Sequence, residues 1–118
     1  MSAEYILSRA SRLREEMRAS GASAYVALND EDSDWESLFY LSGFRGTAGA
    51  IIIYDNEEPE LILDGRYAEA GRAQSPYKVT EQEESLAEDV RASLRAHGAE
   101  EILCEARKTS HENWLRLA

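Results

Sequence analysis

Three glycines at every third position, Gly43, Gly46 and Gly49, lead straight into an apolar run from Ala50 to Tyr54. Glycine lets a backbone turn sharply and lets another group approach closely. The run is too short for a helix, and a second one, Leu61 to Leu63, follows an acidic turn that ends in Pro59. Two short apolar runs joined by a Pro-containing loop predict a β-hairpin. Asp64-Gly65-Arg66-Tyr67 comes next, with Asp64 placed to cap a helix starting near Gly65. A tight loop therefore feeds a hairpin, which feeds a helix, and the remaining elements must be laid around that unit.

Before it, Glu4 to Ser20 reads as an amphipathic helix. Ile6, Ala10, Leu13 and Met17 fall on one face, and Gly21 supplies the stop. Ala24 to Leu28 is nearly all apolar, as suits a strand buried on both faces. Ser33 and Glu36 form a capping box for a short helix over Asp34 to Tyr40, with Trp35, Leu38 and Phe39 turned inward. After the hairpin, Arg66 to Ala73 reads as a brief helix and Tyr77 to Thr80 as a strand. Ser85 and Glu88 cap a helix to His97, with Leu86, Val90 and Leu94 on one face. Glu101 to Cys104 is a last strand, and Thr109 with Glu112 opens a final helix. Strands alternate with helices except at the hairpin. That order predicts an α/β domain with a mixed sheet, mostly parallel with one antiparallel pair.

The 118 residues fit one domain, and a net charge of −10 argues against a nucleic-acid partner, since phosphate contacts need clustered Lys and Arg. No apolar run approaches the roughly 20 residues of a membrane span. The N-terminus lacks the apolar segment of a signal peptide. The single cysteine, Cys104, allows no internal disulfide. A cytoplasmic protein is expected.

Catalytic signals are sparse. Phosphate loops run from a strand into a helix, whereas the glycines here run into a strand, with no Gly-Lys-Ser/Thr after them. His111-Glu112 lacks the second histidine of a zinc-protease helix, since position 115 is Leu. His97 and His111 read as surface residues, and no metal site is expected. The acidic runs at 30–34 and 81–84 read as solvated. Cys104 reads as a small core residue. Arg45, between two glycines, is placed to project its guanidinium and bind a carboxylate bidentately. On residues alone the chain is an acidic α/β domain without the parts of a catalyst, ending in mid-pattern like a fragment.

The strings YLSGFRGTAG (Tyr40–Gly49) and LILDGRY (Leu61–Tyr67), the opening helix with its buried strand, and the closing ILCE (Ile102–Glu105) occur together in order. In this the chain resembles the N-terminal domain of the creatinase, prolidase and aminopeptidase P family, the DGRY form being most similar to the Xaa-Pro aminopeptidases. The resemblance implies a three-layer, ribonuclease H-like α/β fold over 1–118. It also implies a catalytic "pita-bread" domain after 118 that binds two divalent metal ions, commonly manganese, and cleaves next to proline in short peptides. The N-terminal domain itself is then non-catalytic: it joins a homodimer and walls the active site, often that of the partner subunit. Arg45 resembles an arginine that reaches the substrate carboxylate in creatinase-like members, with Phe44 and Tyr40 lining the same wall. Arg66 and Tyr67 fix the hairpin-to-helix corner. The alternatives are a creatinase-like amidinohydrolase and a peptidase-like binding module without catalysis.

Overall fold

The computed structural model describes residues 3–29, 35–44, 48–99 and 101–104. The acidic loop 30–34, Arg45, Gly46 and Thr47, and the expected last helix with His111 lie outside them, as do the side chains of Trp35, Glu36 and Cys104. The elements are α1 (Ala3–Ser20), β1 (Ala24–Asn29), α2 (Trp35–Ser42), β2 (Gly49–Tyr54), β3 (Glu60–Leu63), α3 (Gly65–Gln74), β4 (Lys78–Glu81), α4 (Leu86–Ala96) and β5 (Ile102–Cys104).

One five-stranded sheet has the order β4-β3-β2-β1-β5. Helices cover both faces, so the central strands are largely buried, and every residue of β2 is. Alternation sorts their side chains. Ile51, Ile53, Leu61 and Leu63 face α1 and α2 with Ile6, Ala10, Met17 and Leu38. Val26, Leu28, Ile52 and Ile62 face α4 with Leu86, Val90 and Leu94. The expected apolar faces of both long helices are the buried ones, and the layered α/β architecture follows from them. At α4, the Ser85 hydroxyl accepts the Glu88 amide at 3.1 Å, as its cap requires.

The balance of the sheet carries a correction. The expected antiparallel pair, β2 with β3, is present, but β1 also pairs antiparallel with β2, Asn29 lying opposite Gly49. β1 with β5 and β3 with β4 are parallel, so parallel and antiparallel pairings are equal in number. The connection that carries α2 does not cross to the far end of the sheet. The chain re-enters the sheet at the end it left, and β2 runs backwards.

The sheet therefore has two differently connected ends. At one lie the close of β1, the glycine stretch before β2, and the close of β3 at Asp64. At the other lie the turn 55–59 between β2 and β3 and the start of β4.

Candidate functional site

The glycine stretch is seated on the core by three contacts. Gly43 ends α2, its amide donating to the Phe39 carbonyl at 2.8 Å, and its φ of +81° lies in the left-handed region. A Cβ there would stand 2.5 Å from Ile6 Cδ1 and 3.0 Å from the Gln74 carbonyl. Gly49, entering β2, sits so close that a Cβ would stand 2.6 Å from Leu63 Cδ2 and 3.2 Å from Leu38 Cδ2. Between them Phe44 is 1% exposed. Its amide donates to Ser42 Oγ at 3.1 Å, and that hydroxyl donates to the Leu38 carbonyl at 2.5 Å.

Phe44 meets Tyr67 edge to face, ring centroids 6.1 Å apart. That contact ties the glycine stretch to the DGRY corner. There Asp64 Oδ1 accepts the Arg66 amide at 2.8 Å and its Nε at 3.1 Å. The hydrogen bond from the Arg66 backbone, helped by that from its side chain, holds the Asp64 carboxyl below the usual carboxylate range. The Arg66 guanidinium lies 5.3 Å from the centre of the Tyr67 ring, and its side chain is 77% exposed. The corner role expected of Arg66 and Tyr67 is what the geometry displays.

The residues expected to line a substrate wall thus separate. Phe44 is in the core. Tyr40 is about half exposed at 48%. Arg45 is outside the described residues. The sequence reading had no place for Arg9, whose guanidinium lies 4.0 Å above the centre of the Tyr40 ring and donates to the Tyr40 carbonyl at 3.0 Å. The available signal was its position on α1 off the Ile6–Met17 face, which leaves it free to reach α2.

The far end of the sheet is built differently. Arg14 donates to the Tyr54 carbonyl at 2.8 Å and to the Glu57 carbonyl at 2.5 Å, and Arg18 to the Asp55 carbonyl at 3.1 Å. A cavity of about 500 Å³ lies beside them, but these guanidinium groups are engaged by the turn's backbone. On the α4 face, Glu60 accepts from Thr80 at 2.6 Å and from Ser93, whose hydroxyl is 2.6 Å from Tyr54 Oη. Burial pushes the Tyr54 phenol up to about 12. Among the described residues, no group of three or more His, Cys, Asp or Glu is placed to hold a metal ion, and no helix is long and apolar enough to cross a membrane.

A model of the creatinase/prolidase N-terminal domain matches residues 9–118. The chain belongs to this family. Comparison with curated proteins gives no match. Among solved structures, an X-Pro aminopeptidase from Thermotoga maritima MSB8 superposes with a TM-score of 0.83 at 25% identity, over 92% of this chain and 30% of that one. A Xaa-Pro dipeptidase from Bacillus anthracis gives 0.83 at 20% identity, over 95% and 30%. The N-terminal domain of the cytoplasmic peptidase PepQ from Mycobacterium tuberculosis H37Rv gives 0.82 at 24% identity, over 93% and 82%. The creatinase/prolidase N-terminal domain described here thus spans about 30% of the length of the first two proteins.

Proposed function

We propose that this chain is the non-catalytic N-terminal domain of a Xaa-Pro aminopeptidase or dipeptidase, a cytoplasmic homodimer whose catalytic domain follows in the same polypeptide. The observation that carries the reading is the match to the Thermotoga X-Pro aminopeptidase over 92% of this chain at 25% identity. The catalytic domain would hold two divalent ions, manganese by preference. The N-terminal domain would wall the active site and limit entry to short proline-containing peptides.

Within that reading the glycine-loop end faces the substrate. Arg45 is the group that binds a carboxylate, and the half-exposed Tyr40 lines the same wall. Phe44 serves the site indirectly, as a buried anchor of the glycine stretch. Burial of Phe44 and the tight seats of Gly43 and Gly49 support this division, because a recognition side chain needs a rigid base.

The test is cleavage of a short Xaa-Pro peptide by the full-length protein carrying this domain, with and without added Mn²⁺. Metal-dependent cleavage before proline is expected. A charged hydrogen bond of roughly 1.5–3 kcal/mol corresponds to a loss of roughly 10- to 200-fold in kcat/KM for Arg45→Ala. Unchanged kinetics in that variant would reduce Arg45 to a turn residue. Absence of cleavage with every metal would overturn the peptidase reading, and creatine hydrolysis and binding of basic proteins would then be measured.

A further inference from the structure

β4 stands at one edge of the sheet, with β3 as its neighbour. The Gln82 amide donates to the Leu63 carbonyl at 2.7 Å. Bonding to a parallel neighbour uses every second residue. Val79 and Glu81 therefore turn their amides and carbonyls away from β3, and among the described residues no strand pairs with that side. Such an edge is a template for an added strand. Beside it runs a groove of about 300 Å³ between β3, β4 and α4. Ile62, Ala92 and Ala96 give it an apolar lining, and Glu60, Glu81, Glu83 and Asp89 give it carboxylates. Two of these are fixed in place. Glu60 accepts from Thr80 and Ser93, and Asp89 accepts the amides of Glu83 and Glu84. An ionised carboxylate offers about four acceptor positions, so both keep some free. No lysine or arginine lines the groove; Lys78, opposite Glu60 in the ladder, is exposed and lies outside the lining.

We propose that the β4 edge and this groove together dock an extended basic segment of another protein, added to the sheet as an outer strand. The backbone of the segment bonds to Val79 and Glu81. Thr80 lies opposite Ile62 and so belongs to the α4 side of the sheet. Alternate side chains of the added strand project to that same side. A lysine or arginine there extends over Thr80 towards Ala92 and Ala96, with its apolar stem along the lining and its charge among the carboxylates. The groove decides the sign of the occupant. A second copy fits poorly, because pairing β4 with itself sets two carboxylate-lined grooves side by side on chains of net charge −10. This docking is independent of the peptidase reading, since neither Arg45 nor the glycine stretch takes part in it.

The test is fluorescence anisotropy of a labelled seven-residue peptide that alternates lysine with threonine, titrated with the 118-residue chain at low salt. Saturable binding is expected, with the amide NMR signals of Val79 and Glu81 shifting as the peptide is added. Glu81 and Glu83 are exposed, so reversing both charges leaves the core untouched. The Glu81→Lys, Glu83→Lys double variant should bind about tenfold more weakly, and the difference should shrink at high salt. Backbone pairing is tested on the peptide, where folding of the chain is not at stake. N-methylation of the lysines in one peptide and of the threonines in another blocks the two sets of amides separately. One set faces β4 and its loss should weaken binding about tenfold, whereas the other should matter little. Equal effects of the two patterns would mean charge attraction without an added strand, and would overturn the proposal. Absence of binding, or binding unchanged by the double charge reversal, overturns it as well. So do Val79 and Glu81 signals that move with chain concentration in the absence of peptide, which would assign the edge to a second copy.

Discussion

The two ends of the sheet solve the same problem, holding a connection in place, by opposite means. At the β2–β3 turn, side chains from distant helices grip the backbone: Arg14 and Arg18 from α1 bind its carbonyls, and His97 from α4 binds Glu57. At the glycine-loop end the connection is held from below by close packing. Gly43 and Gly49 sit directly on Ile6, Leu38 and Leu63, and Phe44 is sunk between them. The first arrangement consumes its guanidinium groups in structure. The second fixes the backbone and leaves Tyr40 and Arg66 presented outward. A recognition surface belongs where close packing beneath the chain, more than a grip on its backbone by arginines, holds it in place, which is why the substrate wall is proposed there.

The sharpest way to break this contrast is at Gly43. Gly43→Ala places a side chain at positive φ and against Ile6 and the Gln74 carbonyl. Left-handed strain and overpacking together predict a loss of about 2–4 kcal/mol, read by urea unfolding. A loss below about 0.5 kcal/mol would show that the loop end is not held by close approach. At the other end, Arg14→Ala removes two hydrogen bonds to carbonyls and is expected to cost about 1–2 kcal/mol, reduced from the buried value by solvent. Arg14→Met, which keeps the apolar stem, should recover little of it. Full recovery would mean that packing, not the guanidinium, holds the turn.

What the sequence revealed divides along the same line. Helices α1 and α4, the buried strands and the Ser85 and Asp64 caps are encoded by spacings within a few residues, and such spacings can be read directly. The antiparallel sense of β1 and β2 depends on where the chain re-enters the sheet after α2, which no spacing within a few residues encodes. Arg14 and Tyr54, or Arg9 and Tyr40, meet only after the chain has folded back, so α1 displayed a basic face without saying what it binds. His97 read as a surface residue and is exposed, but its partners, Tyr54 and Glu57, are remote in sequence and could not be read from it. At the candidate site, a phenylalanine between glycine turns looks exposed. Its burial depends on Tyr67 arriving from α3.

Smaller effects sharpen the comparison through pH. At the turn end, Tyr54 is held neutral up to about 12 instead of 10.0, mainly by burial. Its folded-state value is raised, so the associated stability is fully present below about 10, the ordinary tyrosine value, and drains away as the pH climbs towards about 12. Thermal melts should show an alkaline decline that is weakened in Tyr54→Phe. An identical decline in that variant would assign it to another group, such as Tyr77, whose phenol burial also raises.

The smallest effect belongs to the loop end. Asp64 is exposed and its carboxyl lies below the usual range because the Arg66 amide and guanidinium donate to it. A lowered value stabilises the fold above the ordinary carboxylate range and is lost as the pH falls through the folded-state value. Asp64→Ala should therefore lower Tm at neutral pH by less than Arg14→Ala does, and the gap between variant and wild type should narrow in acid. If the gap instead stays constant with pH, the carboxylate charge is irrelevant and the corner is fixed by Tyr67 against Phe44. That outcome would carry the contrast further, since the corner would then rest on packing, with the Asp64–Arg66 pair dispensable.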